Sequence, residues 1–254
     1  MPPAPDDGAK TPRGEETRAR ILAAALGLFR AQGYEATTMR AVAEAAGVSL
    51  GNAYYYFASK EHLLHGYYAQ SHADHLAAAR PVLAREREFR ARLRGVLLAK
   101  LDTSEPYHRF AQLLFGAAAD PESPLNPFHA MSADVRREAV ALMAEVLGGA
   151  KAKVPADLAS RLPELLWIYE MGIILFWVHD ASPGRARSRV LVERTTELVA
   201  RLVRLASNPL LAPLRKAIVR TLDDVARDPS AAAASVAAAG DGDGRDDHDD
   251  RDDD

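Results

Sequence analysis

The residues best suited to recognition chemistry lie in one run, 37–60, which reads TTMRAVAEAAGVSLGNAYYYFASK. Leu50, Gly51, Asn52, Tyr54 and Tyr55 share one face of a short helix opened by Ser49, and Phe57 turns toward the core. A small, polar and aromatic face fits a duplex major groove about 12 Å wide. There Asn52 can bond adenine through two hydrogen bonds, and Leu50 can touch a thymine methyl. Tyrosine hydroxyls, Thr38, Arg40 and Lys60 suit phosphate oxygens, and the free N–H groups of a helix starting at Lys60 add an anion site. Ser49 and Tyr56 complete the candidate set. Four consecutive aromatics, from Tyr54 to Phe57, cannot all face inward on a helix, so at least two tyrosines are expected outside.

Such a face has to be held by helices, and the flanking sequence supplies them. Ile21, Leu22, Ala25, Leu28 and Phe29 mark a first helix over 15–31, which Gly33 ends. Thr38 is the N-cap of a short helix to Ala46, and Gly47 stops it. Ser49 caps the next helix, to Phe57, and Ser59 caps a longer one. Val42, Ala45 and Val48 are expected to form the seam where the two short helices cross. Two short helices split by a glycine turn have helix-turn-helix spacing.

The run TRARILAAALGLFRAQGYEATTMRAVAEAAGVSLGNAYYYFASKEHLL resembles the DNA-binding domain of the TetR/AcrR family of transcriptional regulators. Ile21, Phe29, Gly33, Tyr34, Thr37, Thr38, Val42, Ala43, Gly47, Val48, Tyr54, Tyr55, Phe57, Lys60 and Leu63 carry the resemblance. It implies a recognition helix near Leu50–Tyr56, DNA contacts from Arg40, Leu50 to Asn52 and Tyr54 to Tyr56, and a phosphate contact from Lys60. It also implies a homodimer, and a small-molecule effector in the C-terminal helices that lowers affinity for a double-stranded DNA operator.

The expected fold is therefore all-α: a flexible arm (1–14), a three-helix DNA-binding domain (15–62), a helical ligand-binding and dimerisation domain (63–228), and a disordered Ala/Ser then acidic tail (229–254). Helices are expected near 62–80, 84–103, 106–118, 128–148, 157–179, 184–206 and 210–227. The stretch Leu165–Val178 is apolar all round, so one side should meet the core and one a partner protomer. Val190, Leu191, Leu198, Leu202 and Leu205 would complete a four-helix interface. Phe110, Leu114, Phe128, Met143, Trp167, Met171 and Trp177 are candidate walls of a ligand pocket, although core packing is the preferred reading for any single one of them. Glu170 either contacts the ligand or is neutralised by an internal arginine or an edge position.

His62, His65, His72 and His75, with Asp74 nearby, offer weak metal-ligand spacing; a solvated helix face is the preferred reading. With no nucleophile motif, phosphate-binding glycine loop or cysteine, no enzyme, metal or cofactor is expected. The 14-residue apolar run is too short for a membrane span, which needs about 20. Net charge is −3, but nine aspartates against Arg245 and Arg251 in the last 15 residues leave the rest of the 254-residue chain mildly basic. A second reading keeps the helical body as a small-molecule-binding or scaffold protein with a vestigial DNA-binding domain. If the chain is a regulator, a cytoplasmic location is expected.

Overall fold

The computed structural model describes residues 11–112, 123, 126–151 and 154–226. Every regular element among them is helical. The helices are α1 (Pro12–Gln32), α2 (Met39–Ala45), α3 (Leu50–Tyr56), α4 (Lys60–Arg85), α5 (Phe89–Ser104), α6 (Ala133–Gly148), α7 (Ala156–Ala159), α8 (Leu162–Val178), α9 (Ala186–Ala206) and α10 (Ala212–Ala226). Residues 108–112 are also helical. Leu114 and the rest of 113–118, the second half of the segment read as a helix over 106–118, lie outside the described residues, as do the first ten residues and the tail.

Local chemistry explains the first four helices. Thr11 accepts a hydrogen bond from the Gly14 N–H (3.1 Å), with Pro12 at the first helical position, so α1 begins three residues before the expected Glu15. Residues 12–14 are therefore helix and not arm. Thr38 and Ser49 cap α2 and α3 through the Ala41 and Asn52 N–H groups, at 3.2 and 3.1 Å. Gly47 adopts φ +64°, and the Gly47 and Val48 N–H groups return to Glu44 and Ala43 carbonyls, which closes α2 in a Schellman turn. Ser59 precedes α4 as expected, but its hydroxyl lies 3.0 Å from His62 Nδ1 and makes no cap bond.

Ile21, Leu22, Ala25 and Phe29 of α1, Val42, Ala43 and Ala46, Ala53 and Phe57 around α3, and Leu63, Leu64 and Tyr67 of α4 form one core. The seam differs from the sequence reading at one position: Ala45 is exposed, and Ala43 and Ala46 are buried instead. Residues 43 and 46 are three apart and share the inward side of α2, whereas Ala45 lies on the outward one. Phe110 packs into this same core, stacked on Phe29 at 5.2 Å and edge-on to Tyr67 at 5.3 Å.

Beyond the core, two boundaries move. α4 continues through Pro81 to Arg85, a length of about 39 Å, instead of ending at 80. The helix expected over 157–179 is two, α7 and α8, broken at Ser160 and Arg161. Contacts group Met1–Ala152 with Leu162–Leu202 in one compact unit and Lys153–Arg161 with Val203–Asp254 in another. In the first unit, Asp102–Arg189 (2.6 Å), Arg94–Glu193 and Arg90–Glu197 (2.8 Å) link α5 to α9 by an antiparallel series of ion pairs. In the second, Arg215 binds Asp157 through Nε, at 2.9 and 3.0 Å, and the Ala206 carbonyl (2.7 Å).

Asp180 organises the entry to α9. Its carboxylate accepts from the Ser182 N–H (2.9 Å), the Ser188 N–H (2.8 Å) and the Ser188 hydroxyl (2.7 Å). Burial pushes this carboxyl up, but the bonds from Ser182 and Ser188 outweigh it and hold the group below the ordinary carboxylate range. Asp180→Ala is expected to cost about 1–2 kcal/mol by urea unfolding at neutral pH. The depressed folded pKa sets the sign: the contribution is complete above the unfolded value near 3.9 and fades as pH falls toward the folded one. Wild type and variant should therefore converge in acid, and a gap that widens there would contradict the assignment.

Candidate nucleic-acid interface

The recognition face is built from the core outward. Ala53 and Phe57, 0% and 2% exposed, fix the inner side of α3. Gly51, Asn52, Tyr54 and Tyr55 then lie outside, the last two about half exposed at 48% and 50%. Leu50 and Tyr56 are half-buried at the margins, and Tyr56 stands edge-on to Tyr55 at 5.1 Å. Thr38, Arg40 and Ser49 are exposed, and Ser49 shares a groove with Asn52 and Tyr56. Nine of the ten candidates thus lie on α3, at its cap Ser49, or at the start of α2 (Thr38 and Arg40).

Lys60 is placed differently from a free phosphate ligand. Its Nζ donates to the Tyr34 carbonyl (3.1 Å) and sits 4.4 Å from the Tyr34 ring centroid. The Tyr34 hydroxyl in turn donates to Glu61 Oε1 (3.0 Å). Lys60 Nζ also donates to the Glu35 carbonyl (3.5 Å), so Lys60 ties the start of α4 to the turn after α1, with one donor left over for an anion.

The candidate pocket residues separate. Phe110 belongs to the core described above and is packing, not an open wall. Trp177 is buried edge-on to His108 (4.7 Å), and its indole N–H donates to Glu105 Oε2 (3.3 Å). Met143 is fully buried and Met171 half-buried. Phe128 is 62% exposed yet stands 5.2 Å from buried Trp167, so these two are brought together.

Glu170 is buried, so it is not at an edge, and among the described residues no arginine pairs with it, against the expected internal arginine. Its Oε1 lies 3.6 Å from His75 Nδ1, and Lys100 is the nearby cation. Burial pushes its carboxyl up to about 7 against the opposing pull of Lys100. His75 is also buried and is pushed down to about 3 by burial, then by Lys100. Its Nε2 faces the Val96 carbonyl (3.0 Å), an acceptor only, so Nε2 carries the proton and Nδ1 turns a lone pair to Glu170. His72 is buried too, 3.4 Å from Glu138. The solvated histidine face is therefore wrong for His72 and His75: that side of α4 packs against α5, which carries Val96, and α6, which carries Glu138. Among the described residues, no group of three His, Asp or Glu side chains is placed to hold a metal ion, and no helix is long and apolar enough to cross a membrane.

One feature escaped the sequence reading. Arg13 and Arg20 of α1 line the groove beside Ser49, Asn52 and Tyr56; the early start of α1 at Pro12 was the available signal. Where the sequence pattern places a partner-facing side, Ile168 and Leu175 of α8 and Val190, Leu198 and Leu202 of α9 are all about half exposed, from 46% to 57%. Leu191, expected in that stripe, is half-buried.

Short helices over a shared core, the third with its outer side bare, followed by a helical body, define a helix-turn-helix DNA-binding regulator. Residues 21–67 match the family model "Bacterial regulatory proteins, tetR family", and residues 92–221, about half the chain, match "Tetracyclin repressor-like, C-terminal domain". The chain belongs to the TetR family of transcriptional regulators, DNA-binding proteins and not enzymes.

Among curated relatives, it is 51% identical over 59 residues to the HTH-type transcriptional repressor KstR of Rhodococcus jostii, a stretch covering 23% of this chain and 28% of that protein. It is 31% identical over 107 residues to KstR2 of the same organism, covering 42% and 50%. The matches thus span between about a quarter and a half of these relatives' length. Among solved structures, a TetR transcriptional regulator from Nitrosomonas europaea aligns with TM-score 0.55 at 19% identity, covering 73% of this chain and 98% of that one. FadR of Thermus thermophilus, solved with lauroyl-CoA, aligns with TM-score 0.52 at 25% identity, covering 72% and 92%.

Proposed function

We propose that the protein is a dimeric, effector-responsive repressor that reads an inverted-repeat operator with α3 of each protomer. The observation that carries this is the geometry of α3: Ala53 and Phe57 locked inside, with Gly51, Asn52, Tyr54 and Tyr55 outside. In this reading Asn52 and Leu50 meet base edges, and Gly51 allows close approach. Thr38, Arg40, Ser49, Tyr54, Tyr55, Tyr56 and the one spare donor of Lys60 hold backbone phosphates. Residues 15–62 form the reading domain and 63–228 the effector and dimerisation domain. Two protomers place their α3 helices about 34–36 Å apart, or a multiple of it, which requires a two-fold operator.

α4 is the mechanical link. Leu63, Leu64 and Tyr67 belong to the reading core, while His72 and His75 of the same helix are buried further along. A small molecule seated near Phe128, Trp167, Glu170 and Met171 would tilt α4 and change the spacing of the two α3 helices. Typical coupling of about 1–3 kcal/mol corresponds to about 5–150-fold in operator affinity. The lauroyl-CoA held by Thermus thermophilus FadR supports effector binding in this architecture.

The test is a gel shift with the DNA flanking the protein's own gene. Tyr54→Ala and Arg40→Ala are each expected to weaken binding about tenfold, as loss of one good base or phosphate contact does. Full binding by both variants would refute the recognition face.

A further inference from the structure

The first turns of α1 form a second wall beside the recognition helix. Arg13, Thr17 and Arg20 recur at i, i+4 and i+7, apart from the buried side carrying Ile21, Leu22 and Ala25. They share one groove with Ser49, Asn52 and Tyr56. Arg13 and Arg20 are exposed, and among the described residues neither guanidinium takes an ion pair or hydrogen bond. Arg18 is different, with its charge over the Phe57 ring at 4.9 Å. The Ser49 oxygen already accepts the Asn52 N–H, which leaves its O–H free to donate.

We propose that this groove seats the phosphate backbone bordering the bases read by α3, with Arg13 and Arg20 as two further DNA-positioning residues. The inference rests on the reading that α3 enters the major groove. Seven residues apart, the two arginines stand about 10 Å apart along α1, so they hold separate phosphates. Ser49 adds a neutral hydroxyl donor to the same groove, whereas the Thr17 O–H is already given to the Arg13 carbonyl (2.9 Å). Glu16 lines the same groove and opposes the phosphates, so it limits affinity by like charge. Arginine contacts of this kind raise affinity without selecting sequence.

The test measures affinity of the full chain for a random-sequence duplex about three turns long, across a range of salt concentrations. The double variant Arg13→Gln/Arg20→Gln should lower the slope of log K against log salt by about 1.8 per bound protomer, about 0.9 for each arginine. Its deficit should therefore shrink roughly tenfold between 50 and 200 mM salt. Glu16→Gln should bind more tightly than wild type, a sign that mere disturbance of α1 would not give. Thermal unfolding of both variants should match wild type, since all three side chains are exposed. An unchanged slope in the double variant, with wild type binding normally, would overturn the groove and leave the α3 reading standing. Weaker binding by Glu16→Gln would overturn it also. A flat salt response in wild type would overturn both.

Discussion

Replacing Arg92 by methionine is expected to lower the unfolding free energy by about 3–5 kcal/mol, measured by urea denaturation at fixed protomer concentration. The side chain is 3% exposed and makes four bonds to main-chain carbonyls. Nε donates to Val146 (2.9 Å), Nη1 to Leu83 (2.7 Å) and Glu86 (2.8 Å), and Nη2 to Glu145 (2.7 Å). Those carbonyls belong to the last turns of α4 and α6, where helices carry unpaired acceptors and partial negative charge. One guanidinium thus caps two helix ends from its place on α5. Methionine keeps most of the stem but removes all four bonds, leaving Glu145 only the Gly149 N–H (3.2 Å); lysine keeps the charge without the planar fork and should recover only part of the loss. A Cβ at Gly149 would stand 2.3 Å from Arg92 Nη2, so Gly149→Ala should destabilise by displacing the same group. Because both changes break one arrangement, the double variant should be little worse than Arg92→Met alone. A loss below about 1 kcal/mol for Arg92→Met would contradict this role.

The paired substitution Ile168→Asp/Leu198→Asp is expected to turn a dimer into a monomer at micromolar concentration, read as a halved mass by sedimentation equilibrium. Ile168 and Leu175 on α8, and Val190, Leu198 and Leu202 on α9, leave a large apolar surface bare in a single chain. Gly172, also exposed, lies between the first two and lets a partner backbone approach. Obligate interfaces of this kind commonly bury over 2,000 Å², and two unpaired carboxylates at the centre of one cost several kcal/mol. Operator affinity should fall about 10²–10⁴-fold with it, because the second half-site is then no longer delivered at high effective concentration. A wild-type chain that sediments as a monomer, or a variant that stays dimeric, would contradict the assignment.

The parts of this architecture governed by neighbours in sequence were legible from it. Thr38, Gly47 and Ser49 act within four residues of the backbone groups they satisfy, so α2, the turn and α3 could be placed directly. The overlooked start of α1 was equally local: Thr11-Pro12 is a cap followed by proline at the first helical position. Pro81 was misleading, because the missing N–H and the ring clash that usually end a helix are accommodated within α4. The polar interior was beyond reach for a different reason. His75, Lys100 and Glu170 come from three helices, and Arg92 meets carbonyls up to 54 residues away. Neither periodicity nor composition registers a partner chosen by tertiary packing. The same holds for Phe110, whose aromatic character fitted a pocket wall as well as the reading core it joins.

The central claim, that two α3 helices read base edges on neighbouring turns, is tested most directly by a major-groove protection footprint on the DNA upstream of the protein's own gene. Two protected patches are expected, with centres one helical turn or a whole multiple apart, both lost with Asn52→Ala and Tyr54→Ala. A single patch, or protection that survives both substitutions, would contradict it.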